Sequence, residues 1–220
     1  MTHPDRSRQR HTASDRALIG IEQALRSISG ASRPSRAIPR PQAEPAGTEL
    51  PATEKRLSGA LMRVNHVGEI CAQALYHAQA MTTRSPELRA HFEQAASDEA
   101  DHLAWTRQRL VELDSRVSLL APVWYLGAYG IGLAAGLAGD RASLGFVVET
   151  EKQVEEHLAG HLDRLPAEDL DSRAIVTQMK IDEAMHAAQA QEAGATELPA
   201  AVKQLMRWAA KVMTRTAHYI

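Results

Sequence analysis

An all-α fold is predicted by three observations. Alanine occurs 38 times in 220 residues, aromatic residues make up only 4% of the chain, and no window alternates apolar and polar residues as a half-buried strand would. With 25 basic against 27 acidic side chains the charge is −2, so the basic excess of a nucleic-acid protein is lacking. The single cysteine, Cys71, excludes a disulfide framework, a thiolate zinc site and a thiolate-held iron–sulfur cluster. No charged, apolar and cleavage segments of a secretory signal open the chain, and a reduced compartment is expected.

Residues 1–50 read as a tail. Within it Asp15–Ile28 places Leu18, Ile21, Leu25 and Ile28 at helical spacing, a short amphipathic helix with weak caps. Prolines at 34, 39, 41 and 45 then predict a Pro/Arg/Ser-rich linker. The Arg- and Ser-rich start would also suit an organellar transit peptide, although Asp5, Asp15 and Glu22 carry the wrong sign for one. Residues 51–220 form the helical domain. Its first helix spans about 54–83 and stops at Arg84-Ser85-Pro86. Ser85 caps a second helix with Pro86 at its first position, running to about 114. A third spans 142–165, closed by Pro166. A fourth leaves the Asp169–Ser172 cluster and reaches Gly194, and a fifth follows Pro199 to the C-terminus.

Charged residues stand on the apolar stripes of these helices. Glu99 and His102 interrupt the stripe of the second helix, Glu151 that of the third, Glu183 and His186 that of the fourth. Glu69 lies among Met62, Asn65, Ala72 and Tyr76 on one face of the first. Burying an unpaired carboxylate costs several kcal/mol, which leaves pairing or a metal as explanations. Two of the sites repeat a motif, Asp98-Glu-Ala-Asp-His102 and Asp182-Glu-Ala-Met-His186. A bare Glu-x-x-His is a weak signal, but these are the only two in the chain and both fall on a stripe.

Spacing gives an independent check. Glu69 lies 16 residues before Ser85 and Glu99 lies 14 after it, while Glu151 and Glu183 each lie 16 residues from position 167. Equal distances from a turn mean equal heights in an antiparallel hairpin. Two such hairpins gather four Glu and two His, the ligand set of ferritin-like dimetal bundles. The predicted architecture is therefore a ferritin-like four-helix bundle with a long crossover and an extra C-terminal helix. Carboxylates with one imidazole per metal suit iron or manganese. Asp98 and Asp182, one turn before each His, are candidate acceptors for the imidazole N–H groups. A buried ion-pair network explains the pattern less well, because no Lys or Arg shares those faces.

Between Arg116 and Asp140 lie 23 uncharged residues. A single membrane crossing there would separate Glu69 and Glu99 from Glu151 and Glu183. The stretch is read instead as the bundle's crossover, irregular because of Pro122 and its glycines. It is expected to present Leu119, Leu120, Trp124, Tyr125 and Leu126 to a bilayer or an apolar ligand; packing against its own bundle is the alternative. Gly132 and Gly136 are a weak dimerisation signal. Lys203, Arg207, Lys211 and Arg215 form a basic stripe beside Leu205, Trp208, Ala209 and Val212, suited to an anionic membrane surface.

Over roughly 55–220 these residues resemble the demethoxyubiquinone hydroxylases of ubiquinone biosynthesis. The likeness rests on Arg63-Val-Asn-His-Val-Gly-Glu69 with Ile-Cys-Ala-Gln-Ala-Leu-Tyr76, on both Asp-Glu-Ala-x-His motifs, and on Glu151 with Val154 and His157. It implies a di-iron centre held by Glu69, Glu99, His102, Glu151, Glu183 and His186, with His157 in support. It also implies an O2-dependent monooxygenase that hydroxylates the ring of a prenylated demethoxy-quinol. The implied location is peripheral, on the cytoplasmic side of a bacterial inner membrane, or at the mitochondrial inner membrane if the N-terminus is a transit peptide. A ubiquinone-biosynthesis complex and a homo-oligomer are expected partners. With no nucleotide-binding glycine motif in the chain, electrons come from outside: a reductase, NADH or the quinone itself. For His66 a structural hydrogen bond is preferred over a role in the site, for Tyr76 a core position over the substrate pocket, and for Cys71 an inert buried thiol. The rival readings are a ferritin-like iron storage or detoxification protein, a hydroxylase of a modified tRNA nucleoside, a manganese catalase and a membrane-surface scaffold.

Overall fold

A computed structural model describes residues 12–31, 34–41 and 50–220. The first eleven residues, on which most of the transit-peptide reading falls, lie outside that set. Among the described residues there are seven helices and no strand: α1 (Ala13–Ser29), α2 (Ala52–Thr82), α3 (Pro86–Glu112), α4 (Ala121–Leu137), α5 (Asp140–Arg164), α6 (Leu170–Glu192) and α7 (Ala200–Ala217). The caps follow the sequence where it was explicit. Ser85 Oγ accepts the Leu88 N–H at 3.1 Å, and Asp169 Oδ1 accepts that of Ser172 at 3.0 Å. Helix α1 is better capped than its sequence suggests, because Thr12 and Asp15 form a reciprocal capping box and Gly30 closes it at φ 71°.

The four long helices pair as two hairpins, α2/α3 and α5/α6, which meet along α3–α6 and α2–α5. Each helix alternates apolar and charged layers along its length. One apolar layer contains Leu61, Met62, Trp105, Leu158, Ile175 and Met179; the other contains Tyr76, Phe92, Ala95, Leu144, Val148 and Ala190. The carboxylates and imidazoles lie between the two. Segment 34–41 runs without helix over the α3–α6 seam, with Ile38 against the first apolar layer. There Arg40 pairs with Glu112 at 2.5 Å and Asp171 at 3.0 Å.

The crossover departs from expectation: it is a regular helix, α4, not an irregular segment. Pro122 falls in its first turn, where no intrahelical N–H is needed. Gly132 and Gly136 serve α2 rather than a second copy. A Cβ at 132 would lie 2.9 Å from the Ala78 Cβ and the Leu75 carbonyl oxygen, and one at 136 would lie 1.9 Å from Thr82 Oγ1. The helix form also divides the expected apolar patch. Leu119 (65% exposed), Val123 and Leu126 (69%) share the outer face. Tyr125 is only 2% exposed and packs with Ile70 and Leu103, so the expectation that it faces outward is not met. Trp124 is half-buried against Val64, Val67 and Met213, and Leu120 is half-buried as well. Among the described residues no helix is long and apolar enough to cross a membrane.

Helices α1, α4 and α7 all lean on α2. Arg63 of α2 secures the end of α7 by donating to the carbonyls of Ala217 at 2.9 Å and His218 at 2.8 Å. The basic stripe of α7 is split. Lys203 pairs with Glu197 at 2.9 Å and Arg207 reaches Glu149 at 3.5 Å, while Lys211 and Arg215 stand exposed on the helix that carries Trp208, itself 61% exposed.

Candidate metal centre

Six buried side chains converge at mid-bundle: Glu69 from α2, Glu99 and His102 from α3, Glu151 from α5, Glu183 and His186 from α6. They form two overlapping groups, each with ligand atoms within 4.8 Å of one another. One is Glu69, Glu99, His102 and Glu183; the other is Glu99, Glu151, Glu183 and His186. Glu99 and Glu183 belong to both, and Glu69 and Glu151 to one each. The His102 Nδ1 lies 2.9 Å from Glu99 Oε2, 3.4 Å from Glu183 Oε1 and 3.5 Å from Glu69 Oε2. The His186 Nδ1 lies 3.1 Å from Glu99 Oε1 and 3.7 Å from Glu183 Oε2.

Close approach is not the same as pairing here. Although His186 Nδ1 and Glu99 Oε1 are 3.1 Å apart, neither is aligned for a hydrogen bond, and Glu183 Oε2 likewise has no bonded partner among the described residues. Buried polar atoms left in this way are costly. They belong to the same two groups of ligand atoms, close enough together to share a cation. Oxygen donors with one imidazole on each side suit iron or manganese, so the residues fit a dimetal centre.

The electrostatics are those of a self-balanced cluster. Burial, reinforced by neighbouring carboxylates, holds the Glu69 and Glu151 carboxyls well above the usual range. Against the opposing effect of burial, His102 and His186 hold Glu99 well below it. The carboxylates in turn overcome burial at the imidazoles, raising His102 well above its ordinary value and His186 to about 11.

The candidate acceptors work across helices rather than along them. His102 Nε2 meets Asp182 Oδ2 of α6 at 2.8 Å, and His186 Nε2 faces Asp98 Oδ2 of α3 at 3.7 Å. Tyr76, preferred as plain core from the sequence, belongs to the site: its hydroxyl donates to Glu151 Oε1. His157 packs on His161 with ring centroids 4.0 Å apart, and burial lowers its pKa to about 4. His66 bonds Thr106 Oγ1 at 3.1 Å, the structural role preferred for it. Burial pushes the Cys71 thiol up to about 12, in keeping with an inert thiol. Sequence reasoning missed Asp101 and Arg36. Asp101 is buried on α3 and bonded to Ser35 and Arg36 of the N-terminal segment, a long-range contact without a local signal.

Residues 56–217 match the model of a family described as ubiquinone biosynthesis protein COQ7. Among curated relatives, a 3-demethoxyubiquinol 3-hydroxylase of Polaromonas sp. strain JS666 is 62% identical over 208 residues, 94% of this chain and 99% of the relative. One from Polaromonas naphthalenivorans is 61% identical over 209 residues, covering 95% and 99%. One from Paraburkholderia phytofirmans is 59% identical over 210 residues, covering 94% and 99%.

Proposed function

The chain belongs to the ubiquinone biosynthesis protein COQ7 family, and from that premise we propose that it is a 3-demethoxyubiquinol 3-hydroxylase with a di-iron centre. The observation that carries the metal reading is the sharing of Glu99 and Glu183 between two buried ligand groups. Glu69, Glu99, His102 and Glu183 would hold one iron, and Glu99, Glu151, Glu183 and His186 the other. Bound there, iron supplies the activation of dioxygen that ring hydroxylation requires.

The chain's own residues do the rest. Apolar layers above and below the ligands keep water from the site. Tyr76 holds a proton at Glu151 Oε1, beside a narrow cleft between α2 and α5 lined by Leu75, Gln79, Phe146 and Thr150. That cleft is the proposed approach for the ring of a prenylated quinol. Electrons come from outside the chain, with NADH as the proposed source. The exposed apolar residues of α1 (Leu18, Ile21, Leu25), of α4 and the turn before it (Leu119, Val123, Leu126) and of α7 (Leu205, Trp208, Val212) support peripheral binding to the cytoplasmic side of a bacterial inner membrane.

Quinones extracted from cells lacking the gene test this reading. A quinone short of one ring oxygen substituent should accumulate and disappear when wild type, but not Glu183→Ala, is restored. An unchanged quinone profile would remove the substrate assignment.

A further inference from the structure

Asp182 Oδ2 is a shared acceptor. It faces His102 Nε2 at 2.8 Å and Arg36 Nη1 at 2.9 Å, while Oδ1 takes the Gln178 amide at 2.9 Å. Arg36 lies in segment 34–41, outside the stretch that the family model matches. Its side chain is 40% exposed, and several groups hold its inner edge. The Nε group holds Asp101 Oδ2 at 2.7 Å, and the Ser35 hydroxyl donates to the same oxygen at 2.9 Å. The guanidinium stands 4.8 Å from the centroid of Trp105, whose indole N–H donates to the Arg36 carbonyl at 3.3 Å. Asp101 and Asp182 are both buried, and among the described residues Arg36 is the one arginine or lysine that pairs with either. The other half of the centre has no such support. Its His186 Nε2 is 3.7 Å from Asp98, a carboxylate 36% exposed and bonded to Gln94.

We propose that Arg36 is a positioning residue of the metal centre: through Asp182 it fixes the His102 ring and makes the Glu69–His102 position the tighter of two unequal metal positions. The proposal rests on the dimetal reading above. A carboxylate that orients a ligand imidazole also strengthens it as a donor. Asp182 does this best when a fixed cation holds it in place, and Arg36 is that cation. By linkage, metal in this position stabilises the docked N-terminal segment in return.

The test is titration of the metal-depleted full chain with Mn2+, followed by calorimetry, with far-ultraviolet circular dichroism on each variant to confirm an unchanged helical fold. Wild type should bind in two steps of unequal affinity. Arg36→Gln should weaken the tighter step by about 10–100-fold and leave the weaker one within about twofold. Arg36→Lys, which keeps the charge but cannot span both carboxylates, should recover part of the loss. Arg40→Gln, which frees the same segment from Glu112 and Asp171 without touching Asp182, should leave the tighter step unchanged. An unaffected tighter step in Arg36→Gln, or an equal loss in both steps, would overturn the proposal. So would an Arg40→Gln loss as large as that of Arg36→Gln, since segment docking alone would then be responsible. Wild type that binds fewer than two ions would overturn the dimetal reading itself, and this proposal with it.

Discussion

Glu99 and Glu183 each face both imidazoles, whereas Glu69 and Glu151 each serve one side of the centre, and this difference should appear in metal content. Glu183→Ala is expected to lose both metals, while Glu151→Ala should retain one, as read by elemental analysis of purified protein. Protons compete for the same atoms. His186, raised to about 11, carries a proton near neutrality, and His102, Glu69 and Glu151 are shifted in the same direction, so metal loading should release protons and affinity should climb as pH rises. A pH-stat titration with Mn2+ checks both points; loading without proton release would contradict this charge balance. Tyr76→Phe should leave Glu151 Oε1 without its donor and cost about 1–3 kcal/mol, measured by urea unfolding. All six convergent residues were legible in the sequence, because a carboxylate on an apolar stripe is a local signal. The roles of Tyr76 and Arg36 were not. A tyrosine on a core face looks the same whether or not its hydroxyl has a partner, and an arginine in a Pro-rich stretch carries no mark of the carboxylates it will meet.

The hairpins were equally legible at the scale of elements, since Ser85-Pro86 and the turn near 167 set their register and punctuate their ends. The crossover was not. Glycines that read as breakers become assets where two helix backbones approach closely, and only the partner helix reveals which of the two they are. Gly136→Leu should therefore drive α4 away from Thr82 of α2 and destabilise the fold by about 1–3 kcal/mol, seen as a lowered Tm. Gly127, with nothing within 4 Å of a Cβ built on it, should accept alanine without penalty.

At the scale of the whole molecule, six imidazoles outside the centre resist protonation among the described residues, His91 and His218 included. Burial lowers His66, His77 and His157 to about 4 and His161 to about 2. Their folded pKa values lie below the unfolded value of about 6.5, so on acidification the unfolded chain binds protons first. Stability is fully present above about pH 6.5 and is lost as pH falls from there to about 4, and for His161 to about 2, at up to about 1.4 kcal/mol per pH unit for each histidine. Denaturant unfolding at pH 7, 6 and 5 should show the decline, and His157→Gln should reduce its slope. Vesicle binding should depend on the peripheral helices: Leu126→Glu with Trp208→Ala should abolish sedimentation with anionic liposomes while leaving metal content intact. The position of α2 has a further consequence. One side of this helix supplies Glu69 and the other supports α4, whose outer face carries Val123 and Leu126, so two helix diameters, roughly 20 Å, would separate the ligands from a bilayer docked on that face. Only the isoprene units next to the ring would leave the lipid to cover that distance, while the rest of the tail would stay behind. Turnover should then fall for tails too short to span it and be nearly indifferent to length beyond that, so that one enzyme would serve any long chain its host happens to make.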